Sequence, residues 1–126
     1  MITGNPFLTK NYTSGAAISA RRIVKWDSSD STVIQAAAAT DLAIGVADLG
    51  CTASGDRLDI IHAGIVPVEF GGTVTRGQAV TADGTGKAVA AAPSAGTNNR
   101  IIGFAMASAV SGDVALVLIA PGLMQG

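Results

Sequence analysis

Apolar residues in this chain recur at every second position, and the longest such stretch runs from Arg57 to Gly72. There Leu58, Ile60, His62, Gly64, Val66, Val68 and Phe70 fall on one side of a strand. Asp59, Ile61, Ala63, Ile65, Pro67 and Glu69 fall on the other. The first side is the better core face. β-branched residues are dense and Pro67 forbids a helix through its own position, so the spacing predicts one long strand or a bent pair. Pro67 belongs at an edge, bulge or kink, and Gly64 is the place for the backbone to bend.

Shorter strands are predicted over Arg21–Trp26 and Thr32–Ala36, paired across the turn Asp27–Ser31, and over Asp41–Asp48. Beyond the central stretch, Thr73–Thr81 and Lys87–Ala92 flank a tight turn at Asp83–Gly86. Arg100–Ser108 and Asp113–Ala120 close the series. The last strand is apolar on both faces, which predicts burial on both sides, with Pro121-Gly122 as its stop. Ala36–Ala39 is too short to nucleate a helix and leaves room for a single helical turn. Turn signals at short intervals between short strands predict an all-β fold, a small single-domain β-barrel or sandwich over residues 21–126. Met1–Ala20 shows no sustained period and is expected to be an extended N-terminal arm. With Pro6, Phe7, Leu8 and Tyr12 set among Gly, Asn and Thr, it is expected to order on another subunit.

Composition changes this picture in one respect. Of the 126 residues 48% are hydrophobic but only 13% are charged, against about 25% in a soluble domain. So few charges cannot cover a monomer, and apolar area is expected to be shared with a partner chain. A net charge of -1 supplies no basic excess to displace counterions from phosphates, which argues against nucleic acid. The longest strongly apolar run, Val114–Ala120, is far short of the roughly 20 residues of a membrane helix. The N-terminus lacks the pattern of a signal peptide, so export is not expected and Asn11-Tyr12-Thr13 is a chance match to the glycosylation pattern. Cys51, the only cysteine, excludes an internal disulfide and fits a reducing compartment.

Little here reads as chemistry. His62 is the only histidine, and Asp59, three residues away on the same strand, points to the opposite face. A packing or interface histidine is the better reading. Gly84-Thr-Gly86-Lys87 fails as a phosphate loop, because Thr81 stands where the first glycine belongs and Ala88 where Ser or Thr belongs. Cys51 has no cationic neighbour in sequence and is expected to be unreactive. Arg21, Arg22 and Lys25 form the one basic cluster, read as a solvated strand edge with a docking patch as the alternative. Trp26 is expected in the core. No catalytic residue, metal ligand or cofactor is assigned.

In order, Arg22-Ile-Val-Lys-Trp26, Leu42-Ala-Ile-Gly-Val46, Ile61-His-Ala-Gly-Ile-Val-Pro-Val-Glu-Phe-Gly-Gly72 and Val74-Thr-Arg-Gly-Gln-Ala-Val-Thr-Ala-Asp83 resemble a family of small tailed-phage and prophage proteins. Ile101-Ile-Gly-Phe-Ala105 and Ser111-Gly-Asp-Val-Ala-Leu-Val-Leu-Ile-Ala-Pro-Gly122 extend the likeness over nearly everything after Ala20. These proteins are described as capsid cement or head decoration proteins. The resemblance implies a β-rich, non-enzymatic protein, made in the host cytoplasm and carried on the outer surface of the virion capsid. Its partners would be the major capsid protein and itself, as a trimer at capsomer junctions or as a dimer. The expected capsid or subunit interface is Pro6, Phe7, Leu8, Tyr12, Arg21 and Arg22, without direct contact to nucleic acid or membrane. Two other readings stand beside it: a small β-barrel enzyme or ligand-binding domain using His62, and another phage structural subunit such as a tail tube or baseplate.

Overall fold

The alternation is realised as nine strands among the described residues. The computed structural model describes residues 4–126, and Met1–Thr3, the first residues of the expected arm, lie outside them. In chain order the strands are β1 (Asn5–Ser14), β2 (Arg22–Trp26), β3 (Thr32–Gln35), β4 (Ala43–Ala47), β5 (Arg57–Glu69), β6 (Ala79–Ala82), β7 (Ala88–Ala90), β8 (Asn98–Ala105) and β9 (Val114–Gln125). No helical turn forms at Ala36–Ala39. The Ala37 N–H is taken by Asp41 Oδ2 at 2.7 Å, and the chain turns there toward β4.

The strand order β1-β3-β2-β4-β5, with β1 also paired to β5, closes a five-stranded barrel. Its core holds Tyr12, Ile18, Val24, Val33, Leu58 and Ile60. Of the arm expected over Met1–Ala20, Asn5–Ser14 are thus a stave of the barrel, extended but hydrogen-bonded along β5 from Asn5↔Ile65 to Thr13↔Arg57. Tyr12, buried at 4% exposure, fixes it there. From β5 the sheet continues as β9-β8-β6-β7 and folds over the barrel wall. Ile23, Val46 and Ile61 of that wall meet Val66, Val68, Phe70, Val80 and Val117 in the larger core. Alanines at positions 36, 82, 88, 105, 109 and 115 keep the two layers close.

Gly64 is the position at which β5 passes from one core to the other. Before it, Leu58 and Ile60 face the barrel; after it, the same even-numbered set, Val66, Val68 and Phe70, faces the larger core. An unbroken strand would keep all five on one side. At Gly64 φ is +107°, and the alternation slips by one residue. A Cβ here would stand 2.6 Å from both Asn5 O and Phe7 N, so β1 passes too close for any other residue.

β9 corrects the sequence reading twice. It runs through Pro121-Gly122 to Gln125, because Ala120 and Pro121 together oppose the single residue Ile102 and so place the proline in a bulge. It is also covered on one face only. Ala115, Val117 and Ile119 are buried, whereas Leu118 is 41% exposed and Leu116 is half-buried.

A charge clamp ties the two layers. Arg22 Nη2 on β2 lies 3.1 Å from Glu69 Oε1 at the end of β5, and Lys87 Nζ lies 3.3 Å from Glu69 Oε2. Arg22 Nη1 also donates to Thr85 O at 2.8 Å, which reaches the β6–β7 turn. Burial alone would raise the Glu69 pKa, but the hydrogen bonds and charges of Arg22 and Lys87 outweigh it and hold the carboxyl below its ordinary 4.5.

Both the bend and the clamp can be measured. Gly64→Ala should cost about 2–4 kcal/mol in urea unfolding, combining a disfavoured φ with the clash, while Gly77→Ala should cost only about 1–2 kcal/mol. Gly77 has φ of +94° with nothing within 4 Å of an added methyl, so the difference isolates the close approach of β1. The clamp, in turn, stabilises fully above pH 4.5 and is lost as pH falls through the lower, folded-state value, because the unfolded chain binds the proton first. Glu69→Gln should therefore flatten the fall in unfolding free energy below that pH; an unchanged slope would show that the clamp contributes nothing.

Candidate functional site

One end of the barrel is capped by side chains rather than by a loop. Continuing the inward phase of each stave past the core brings Lys10 and Tyr12 on β1, Trp26 after Val24 on β2, and His62 after Ile60 on β5 to the same mouth. Their geometry is that of a plug. The Tyr12 and Trp26 rings meet edge-on with centroids 5.5 Å apart and planes at 81°. Tyr12 Oη lies 2.7 Å from His62 Nε2, and Lys10 Nζ stands 5.8 Å from the centre of the Tyr12 ring. Burial pushes the Tyr12 phenol above its usual pKa, so it remains protonated at neutral pH and is available as a donor to His62.

Around this plug the rim is apolar and open to solvent. Phe7 is 86% exposed, Leu8 is exposed beside it, and Trp26 and Leu42 are brought together by the Trp26 N–H bond to Leu42 O at 3.4 Å. The exposure of Phe7 has a local cause. β1 pairs Pro6 with Gly64 and Leu8 with Ala63, so Phe7 is the residue left over in the bulge that faces the bend of β5.

The residues expected at an interface divide accordingly. Pro6, Phe7 and Leu8 are exposed at one end of β1, while Tyr12 works from inside the barrel. Arg21 is exposed at a φ of +59°, with its N–H bonded to Ala47 O at 2.7 Å. Arg22 is committed to Glu69, and Lys25 lies 3.2 Å from Asp41 Oδ2, so the basic cluster is mostly an internal pairing rather than a solvated edge. Trp26, expected in the core, is half exposed because it follows the last core position of β2 and precedes the Asp27–Ser31 turn. Sequence reasoning misses the rim members Trp26 and Leu42; their signal is a large apolar residue next to a turn at each end of paired strands.

The other chemical candidates are occupied. His62 has Tyr12 as its partner, and Asp59 accepts from Asn11 Nδ2 at 3.0 Å on the outer wall. Beside that wall lies a shallow hollow of about 420 Å³ bordered by Pro6, Thr9, Asn11, Leu49, Arg57 and Asp59. Cys51 is half-buried against the barrel core with Sγ 3.6 Å from Ala16 O. Among the described residues no group of three or more His, Cys, Asp or Glu side chains is placed to hold a metal ion, and no helix is long and apolar enough to cross a membrane.

Arg22, Lys25, Asp41, Glu69 and Lys87 are engaged in internal ion pairs while Phe7, Leu8, Trp26 and Leu42 stand exposed, an arrangement that suits a structural module. The sequence says which: residues 36–120 match the phage cement protein family, and the chain belongs to that family. Its role is that of a capsid-associated structural protein of the phage head. The fold is similar to that of the head fiber gp8.5 N base of bacteriophage phi29, with a TM-score of 0.69 and 18% identity over 94% of this chain and 98% of that one. No curated protein sequence matches the chain.

The plug can be tested by itself, since Trp26 is the only tryptophan and its emission reports on the mouth. Tyr12→Phe keeps the ring stack and removes one hydrogen bond, for an expected loss of about 0.5–1.5 kcal/mol. Tyr12→Ala, which empties the mouth, should lose about 3–5 kcal/mol and shift Trp26 emission to the red. Equal losses for the two would place the stabilisation in the hydrogen bond instead of the packing.

Proposed function

We propose that this protein binds the outer surface of the assembled phage head through the apolar rim at the barrel mouth and stabilises the shell against the pressure of packaged DNA. Its partners are the major capsid protein and further copies of itself, a trimer being favoured for junctions with threefold or quasi-threefold symmetry. It is made in the host cytoplasm and ends on the virion. The observation that carries the reading is Phe7, almost wholly exposed at the apex of a bulge in a chain that belongs to a cement family. Within residues 1–20 the exposed end Pro6–Leu8 serves for docking, while β1 also completes the barrel of the body, residues 21–126, with Tyr12 anchored in its core.

Burying one such aromatic stabilises by about 1.5–3 kcal/mol, a ten- to hundredfold change in affinity per site, and an oligomer multiplies it across several sites. Pro6, already held in β1 opposite Gly64, loses little further freedom on binding. The reading is non-enzymatic: His62 acts in the plug, and His62→Ala should abolish no turnover.

Phe7→Ala should lower binding to empty expanded heads in co-sedimentation by about tenfold or more per site while leaving the melting temperature unchanged. Binding as tight as that of the unaltered chain would overturn the assignment of the rim. Deleting the whole segment is not a clean test, because β1 is part of the barrel and its loss should unfold the protein.

A further inference from the structure

The face of the second sheet that turns away from the larger core is open to solvent along β8 and β9, at Phe104, Met106 and Leu118. On it, the registers Ile65↔Leu118 and Leu118↔Phe104 make one row across β5, β9 and β8. A second row runs from half-buried Leu116 to Met106, whose N–H donates to the Leu116 carbonyl at 3.0 Å; its β5 member, Pro67, is buried. Phe104 and Met106 are 40% and 44% exposed, close to the value for Leu118. We propose that this face packs against the same face of a second copy of the chain. The proposal rests on the cement reading for its setting and names the surface that joins the subunits.

The occupant follows from what the face lacks and from what the rest of the sheet withholds. None of the six side chains in the two rows carries a charge or a side-chain N–H or O–H group, so a partner that brought charges would bury them without counterparts. An identical face meets that requirement by construction. Flat sheet faces with side chains in cross-strand rows pack on one another at about 10 Å. The far edge of the sheet, β7, is only the three residues Ala88–Ala90, a short template for strand addition.

The area sets the strength. Side chains of this size and exposure present about 300–400 Å² of apolar surface, as large as the biggest patch on a typical monomer yet under half of the roughly 800 Å² each partner gives to a standard interface. The contact is therefore weak between free chains and becomes effective when subunits are held near one another on a shell.

Sedimentation equilibrium of the full chain from about 10 µM to about 1 mM should show a mass that rises with concentration toward two copies, since a face packed on its own kind closes as a twofold pair. Leu118→Lys and Phe104→Glu should each move the midpoint upward by about tenfold or more with the melting temperature retained. Leu118→Ser, a milder change, serves if either charged variant fails to fold. A monomer mass throughout, or a midpoint unmoved by all three substitutions, overturns the proposal. So does loss of head binding with self-association intact, which would assign the face to the capsid. If the unaltered chain self-associates through this face but never binds heads, the cement reading fails and this inference stands.

Discussion

A single strand has to serve two cores here, and the rest of the structure depends on how it does so. β5 lines the barrel with Leu58 and Ile60 and the larger core with Val66, Val68 and Phe70. Period-two geometry forbids this for an unbroken strand. The break at Gly64 resolves the conflict, and the same break forces β1 to bulge as it passes, which leaves Phe7 with nothing beneath it. The exposed aromatic at the rim is thus a by-product of core architecture. Packing and the proposed docking meet at one residue.

The distribution of charge follows a related logic. With so few charged residues, those placed near the seam between barrel and sheet are used there: Arg22, Glu69 and Lys87 join the layers, and Lys25 and Asp41 fix the β3–β4 connection against β2. Groups tied into internal pairs cannot cover the outside. The charges left for the surface, among them Lys10, Arg21, Asp30, Arg76, Arg100 and Asp113, leave apolar area open at the mouth and on the outer face of β8 and β9.

Much of the fold is legible in the sequence because period-two alternation and turn residues are local signals. The β2–β3 hairpin, β4, the turn at Asp83–Gly86 and the bend at Gly64 fall where the residues predict them, whereas the strand expected from Thr73 begins only at Ala79. What escapes such reading depends on distant parts of the chain. The N-terminal residues carry no alternation of their own, so only the partner strand β5 reveals that Asn5–Ser14 is a stave. The double apolarity of β9 suggests two-sided burial, whereas Leu118 on the second face is exposed and Leu116 half-buried. Pro121 has the look of a stop because a bulge opposite Ile102 cannot be seen without the register. Of the interface residues, composition singles out Pro6, Phe7 and Leu8 but cannot separate them from Tyr12, which differs only in the direction it faces.

The closure of β1 onto β5 has a consequence in time. Tyr12 finds its strand partner at Leu58, and Asn5 finds its own at Ile65, so the first stave to leave the ribosome waits for the fifth before it has a place to lie. Such non-local pairing makes barrel formation a slow step, governed by closing a long loop rather than by local propensity. Until then the bulge does not exist and Phe7 belongs to a chain without a rim. On the proposed reading, competence to attach is acquired all at once, at the moment the ring of strands closes, and a shell takes up finished molecules alone.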